Sequence, residues 1–367
     1  MNLSRQWSDR LKIWDEELSH NIYNKLEKLE LTGFSTMQRL SFAKASSKSF
    51  KPFPEGMKWG KKWEYAWVKA QIDLPKSLAG SRIWIRIGAG PEMLVYVNGK
   101  EAGSIDRQHE FIIVDEPPKN GKLSILAEVY AGHGARIEKG GLVPRDQVPI
   151  PEPPLQQVTV LESSYGVIDA ELLSVYADFH TLYELVGILP DNSVRGQRIL
   201  AALERFTLST LPEEDPRTRR DSILSAAKLL KPHLKQKNSG NVPCYTVFGQ
   251  SHLDIAWLWT IRETRRKIAR TYSNQLRLMD RFRDYRFLMC EPVLLEWMKE
   301  DYPDLYERVK EKVCSGQMIP EGAMYVESDV NMAGGEALIR QFVYGRRMFE
   351  EEFGVKSRLA WMPDTFG

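Results

Sequence analysis

The chain has 367 residues, 43% of them hydrophobic and 27% charged, with a formal net charge of +2. That length supports two or three domains with separate cores, and a near-neutral balance without a dense basic block argues against a dedicated nucleic-acid binder. No apolar run reaches the ~18 residues of a spanning helix, so no membrane helix is expected.

The opening stretch, MNLSRQWSDRLKIWDEEL, carries charges throughout and has no apolar segment before a small-residue cleavage site, which excludes a conventional signal peptide. The expected location is cytoplasmic. Cys244, Cys290 and Cys314 are too few and too scattered for a disulfide framework or a thiolate metal site, and read as buried small hydrophobes.

Leu11, Trp14, Leu18, Ile22, Leu26 and Leu29 fall at helical spacing, so a helix or helix pair is expected over residues 3 to 30. After a Pro/Gly/Lys stretch, the period changes to two from Trp63 to Tyr130, with Ile83, Ile85 and Ile87 on one face and Arg82, Trp84 and Arg86 on the other. Asn98-Gly99 can supply the positive φ angles of a tight hairpin. Several short strands with turn residues between them predict an antiparallel β-sandwich. Its Trp59, Trp63, Trp67 and Trp84 admit a carbohydrate-binding reading, with Trp84 the best candidate, but docking against the rest of the chain is the preferred one.

Residues 143 to 158 form a proline-rich connector. Leu172, Val175, Tyr176, Phe179, Leu182, Tyr183 and Val186 then mark a helix, followed by further helices ending near Leu234. Beyond Pro243 strand and helix alternate. Strands are predicted at 244–248, 286–289, 317–319 and 358–362, and helices at 262–282, 293–313 (broken near Pro303) and 337–353. Such alternation implies a parallel sheet or barrel, whose functional groups gather beyond the carboxyl ends of the strands.

Polar residues stand at three of those ends: His252 and Asp254, Glu291 and Asp364. Residues i and i+2 of an extended segment share a face, so His252 and Asp254 can project together while Leu253 points away. Imidazole nitrogen with carboxylate oxygen suits Zn²⁺, but a lone His-x-Asp tripeptide is a weak signal, and a simple His–Asp hydrogen bond fits equally.

The run SHLDIAWLW, ARTYSNQLRLM, EPVLLEWMKEDYPDLYERVKEKVCSG, VESDVNMAGGEALIRQFVYGRRMFEEEFGV and WMPDTFG resembles, in order and spacing, the catalytic domain of glycoside hydrolase family 38, the α-mannosidases of bacterial and cytosolic type. The likeness is dense over residues 244 to 367 and looser before them. It implies that His252 and Asp254 are zinc ligands, and that Asp364 is both a zinc ligand and the nucleophile of a retaining α-mannosidase. Trp257 and Phe366 are implied to line the sugar site. The family's fourth ligand and its acid/base aspartate would lie beyond Gly367. Glu327, Asp329 and Asn331 match a loop beside the site, for which a solvated face is as good a reading as sugar contact. Cys290-Glu291-Pro292, Glu321 and Tyr325 depart from the common pattern without touching the ligands.

The expected fold is therefore α/β plus all-β, in four parts: an N-terminal helical segment (1–50), a β-sandwich (51–150), connector and helices (151–240), and the first part of a (β/α) barrel-like catalytic domain (241–367). The expected cofactor is Zn²⁺, with Co²⁺ also acceptable to such a site. The expected substrate is a mannose-containing oligosaccharide, and the expected protein partner is a second copy or a missing C-terminal part. The ending RLAWMPDTFG reads as a fragment's, so this chain alone is expected to lack turnover and to bind zinc weakly. Two other readings stay open: a non-catalytic sugar-binding or assembly fragment, and another metal-dependent carbohydrate hydrolase such as a de-N-acetylase.

Overall fold

The computed structural model describes residues 5–78, 80–134, 153–210, 215–237, 242–256 and 259–366. Trp257 and most of the proline-rich connector lie outside these residues. The chain divides into two compact units, one of residues 1–27, 81–84 and 165–245, the other of residues 28–80, 85–164 and 246–367.

The first unit is mainly helical. Arg5–His20, Ala170–Ile188, Val194–Leu208 and Pro216–Ala226 share one core, in which Leu11, Trp14 and Leu18 meet Leu172, Val175, Phe179, Leu182 and Phe206. The predicted apolar stripe on Ala170–Ile188 is the buried one. Its start is fixed by Asp169, whose side chain accepts from the backbone N–H groups of Glu171 and Leu172, and Ser193 and Asp215 cap the next two helices in the same way. The helix or helix pair expected over residues 3 to 30 is a single, shorter helix. It stops at His20, and Tyr23–Lys28 is a strand with an exposed face, so Leu26 lies 43% exposed.

The second unit contains a six-stranded antiparallel sheet in the order Lys51–Pro52, Thr32–Thr36, Tyr65–Asp73, Lys122–Tyr130, Glu92–Val97, Lys100–Ile105. Asn98 at φ 51° and Gly99 at φ 81° make the hairpin turn that the sequence signals. Trp59 and Trp67 are core residues, 4% and 1% exposed, which removes them as sugar contacts. Trp67, Leu94, Tyr96 and Leu126 of the sheet share a core with Ile268, Tyr272 and Leu276 of the helix Ile261–Arg281, in line with the docking reading.

The same unit holds three short parallel strands, Gly249–Gln250, Phe287–Met289 and Met318–Pro320, in that order. They are connected by Ile261–Arg281 and by Pro292–Asp301 with Pro303–Cys314, and Gly335–Phe353 follows the third. The two outer strand expectations need correction. Residues 244–248 form no strand and are exposed, with Tyr245 at 83% and Val247 at 88%, and 358–362 contributes a single parallel bridge, Gly322 to Ala360. Gly322 is what permits that bridge, since a Cβ there would sit 2.8 Å from the Trp361 Cβ and 2.9 Å from the Cys290 Cβ. Cys244 and Cys314 are exposed and only Cys290 is buried.

Candidate functional site

His252 and Asp254 follow the first parallel strand by two and four residues, and Leu253 between them turns inward, 8% exposed, into the core. Asp254 is fixed through its backbone. Its carbonyl accepts from Trp259 Nε1 and from Thr264 Oγ1, both at 3.1 Å, which ties it to the first turn of Ile261–Arg281. Ala256 takes a left-handed φ of 65°, a strained conformation for a non-glycine residue, in the bend that follows the aspartate.

Asp364 arrives from the other side. The segment before it is held by Glu321, whose Oε2 accepts from Ser357 Oγ at 2.5 Å and from the backbone N–H of Arg358 at 3.0 Å. Glu321 is thus an anchor for the returning chain and not a partner of the site. Tyr325 is likewise an anchor, donating its hydroxyl to Glu296 Oε2 at 2.6 Å.

The structure brings His252, Asp254 and Asp364 together. One ligand-type atom from each lies within 4.8 Å of the other two, with His252 Nε2 3.4 Å from Asp254 Oδ1 and 3.5 Å from Asp364 Oδ2. The Asp364 side chain is 52% exposed, whereas those of His252 and Asp254 are about a quarter and a fifth exposed. The donor set, one imidazole nitrogen and two carboxylate oxygens, fits a divalent cation of borderline softness. Burial pulls the His252 imidazole down, but Glu327, Glu291 and Asp254 together outweigh it, so its pKa is raised above the ordinary value. A cation would replace that ring proton.

Phe366 is 59% exposed two residues beyond Asp364, and its carbonyl accepts from Val330 N at 3.1 Å. Trp257, the other aromatic assigned by resemblance, falls outside the described residues. The 327–331 loop divides. Asp329 and Asn331 are exposed, but the Glu327 side chain is 5% exposed and turned inward. Its Oε2 faces His252 Nδ1 at 3.0 Å, and its Oε1 accepts from Asp364 N at 2.7 Å and Thr365 Oγ1 at 2.9 Å. The sequence reading missed this role. The available signal was the loop's position beside the site, and alternation within VESD says nothing about a side chain that bonds across to another loop.

Glu291 is buried behind this group, 4% exposed, and its carboxyl is pushed up to about 7, first by burial. Its Oε1 accepts from Glu327 N at 3.4 Å, while Oε2 has no hydrogen-bond donor among the described residues. Burial likewise drives the Cys290 thiol up to about 12, which makes it an inert neighbour.

Residues 244–367 match the family described as "Glycosyl hydrolases family 38 N-terminal domain", and residues 26–150 match "Alpha-mannosidase, jelly roll domain". Alpha-mannosidase G of Dictyostelium discoideum is 29% identical, over 95% of this chain and 32% of that protein. Alpha-mannosidase 2C1 of Homo sapiens is also 29% identical, over 92% of this chain and 32% of its own length. An alpha-mannosidase of Saccharomyces cerevisiae is 34% identical over 54% of this chain and 19% of its own length. The chain spans about a third of the length of the first two. Among the described residues, no helix is long and apolar enough to cross a membrane.

Proposed function

We propose that this chain, whose residues 26–150 match an α-mannosidase jelly roll domain and 244–367 a family 38 N-terminal domain, supplies the nucleophile and most of the metal site of a retaining α-mannosidase acting on mannose-containing oligosaccharides. His252, Asp254 and Asp364 hold the metal, taken here to be zinc, and the observation that carries the reading is their convergence within 4.8 Å. The four-part division of the chain, a barrel-like arrangement of which residues 241–367 form the first part, and a cytoplasmic location belong to the same proposal.

When bound, the metal supplies a Lewis acid that can engage sugar hydroxyls next to the anomeric carbon. The rest follows from the side chains. Asp364, the most exposed of the three, offers a carboxylate oxygen to attack the anomeric carbon as the glycosidic C–O bond breaks and its electron pair leaves on the aglycone oxygen, forming a glycosyl ester that water later hydrolyses with net retention. Its backbone N–H is bonded to Glu327, which fixes the position of the loop that presents this carboxylate. The exposed ring of Phe366 offers an apolar face for the sugar, and Trp257 is assigned a second one. The proton for the leaving oxygen is not assigned to any residue of this chain.

The test is turnover of an aryl α-mannoside by the full-length protein. Exhaustive chelation and Asp364→Ala should each abolish it, with re-added zinc restoring only the chelated enzyme. Activity that survives either treatment refutes the assignment. Release of acetate from an N-acetylated glycan, without mannoside cleavage, would favour the de-N-acetylase reading instead.

A further inference from the structure

We propose that Glu327 is a positioning residue for this centre. Its one carboxylate fixes both the tautomer of the His252 ring and the placement of the Asp364 loop, so the ligand geometry exists before a metal arrives. The inference rests on the metal reading above and goes beyond it, because Glu327 is neither a ligand nor a sugar contact.

Both carboxylate oxygens are already used. Oε2 is 3.0 Å from His252 Nδ1, and Oε1 accepts two further bonds from the Asp364 backbone N–H and the Thr365 hydroxyl. A side chain with 5% exposure and both oxygens bonded is turned to its neighbours and away from solvent. The loop that carries it is held in turn. Val326 N donates to Gln341 Oε1 at 2.8 Å and Tyr325 N donates to the Gln341 carbonyl at 3.1 Å, which attaches it to the helix Gly335–Phe353.

The chemistry follows from donor and acceptor roles. An ionised carboxylate only accepts, so Nδ1 of His252 must carry a proton. The ring then presents Nε2 to Asp254 and Asp364, the side on which a metal would be held. A carboxylate behind a metal-ligating histidine fixes ring orientation and raises ligand basicity, and its loss typically weakens metal affinity by about 10–100-fold. Here the same group also spans two loops more than a hundred residues apart in sequence, His252 and Asp364.

Glu327→Gln separates the two tasks. An amide oxygen can still accept from Asp364 N and Thr365, but the amide nitrogen then faces Nδ1 as a donor. Nδ1 must accept, and the ring proton moves to Nε2, where it blocks the metal. Glu327→Ala removes both tasks. Metal-free wild type and both variants would be titrated with zinc chloride by calorimetry, and the exchange rate of the Asp364 amide would be measured in parallel by hydrogen–deuterium exchange.

The expected result is zinc affinity lower by about 10–100-fold in Glu327→Gln with Asp364 protection retained, and loss of both in Glu327→Ala. Affinity in Glu327→Gln within about threefold of wild type would overturn the tautomer role, since the usual effect is larger. Unchanged Asp364 exchange in Glu327→Ala would overturn the loop role. If wild type itself takes up no zinc, the metal reading fails separately and Glu327 cannot position a metal ligand, while the exchange arm still decides whether it joins the loops.

Discussion

Replacing Glu128 by Gln should weaken the contact between the antiparallel sheet and the helix Ile261–Arg281 more than any exposed charge change could. Glu128 Oε1 accepts from Arg266 Nε at 3.1 Å, and the two side chains are 5% and 0% exposed. The Arg266 guanidinium lies 3.5 Å from the centroid of the Tyr65 ring, and neither Nη1 nor Nη2 has a hydrogen-bond acceptor among the described residues. Glu128 is therefore the carboxylate that balances this buried charge. Two unit charges about 4 Å apart at an effective dielectric of ~20 attract by about 4 kcal/mol, and breaking a buried pair on one side costs about 3–5 kcal/mol. The isosteric Gln leaves no cavity, so the loss should be electrostatic. Hydrogen exchange under mild urea, read in peptides covering 122–130 and 261–281, should accelerate by about two to four powers of ten, the equivalent of that energy. The pair Glu128→Leu with Arg266→Met should recover most of it, because an apolar replacement of both partners removes the unpaired charge. Acceleration below about tenfold, or a double variant as impaired as the single one, would refute the reasoning.

A Cβ added at Gly345 would lie 2.0 Å from the Ala323 carbonyl oxygen, so Gly345→Ala should lower thermal stability by about 1–3 kcal/mol despite the better helix propensity of alanine, which differential scanning calorimetry would register. In the helical unit, the Arg220 hydrogen bond, with the helix-start N–H groups, holds the Asp169 carboxyl below its ordinary pKa against an opposing burial effect. A depressed folded pKa gives stability that is present above the unfolded value of about 3.9 and lost as pH falls through the folded one. Urea midpoints of that unit should therefore drop in acid, and Asp169→Asn should flatten the decline. Asp169→Ala, which also removes the cap, should cost about 1 kcal/mol at neutral pH, measured by helical circular dichroism on denaturation.

Much of the architecture was legible because periodicity and punctuation agreed. The stripe from Leu172 to Val186, the Asn98-Gly99 turn and the break at Pro303 each follow from local rules, and each appears in the structure. That His252 and Asp254 can share a face also follows from a spacing of two, which is a local property, but their assignment as ligands came from the resemblance. The failures share another cause. Residues 244–248 and 358–362 read as buried strands because they are apolar, but a strand also needs a partner ladder, and composition does not report one. Glu327 was ambiguous because its environment is made by His252 and Thr365, residues from two other segments. Long-range hydrogen bonding is the part of a site that a linear pattern least reveals.

The charges between sheet and helix also act as a vernier. Glu128 meets Arg266, while Glu92 meets Lys267 and Arg270, so positions one helical turn apart read different marks on the sheet. Sliding the helix by one turn, about 5.4 Å, would break these pairings together. The same slide would carry Thr264 away from the Asp254 carbonyl by more than the 4.8 Å that spans the candidate ligand atoms. A scale engraved on the sheet therefore calibrates, through the helix, the height of a candidate ligand carried on another segment.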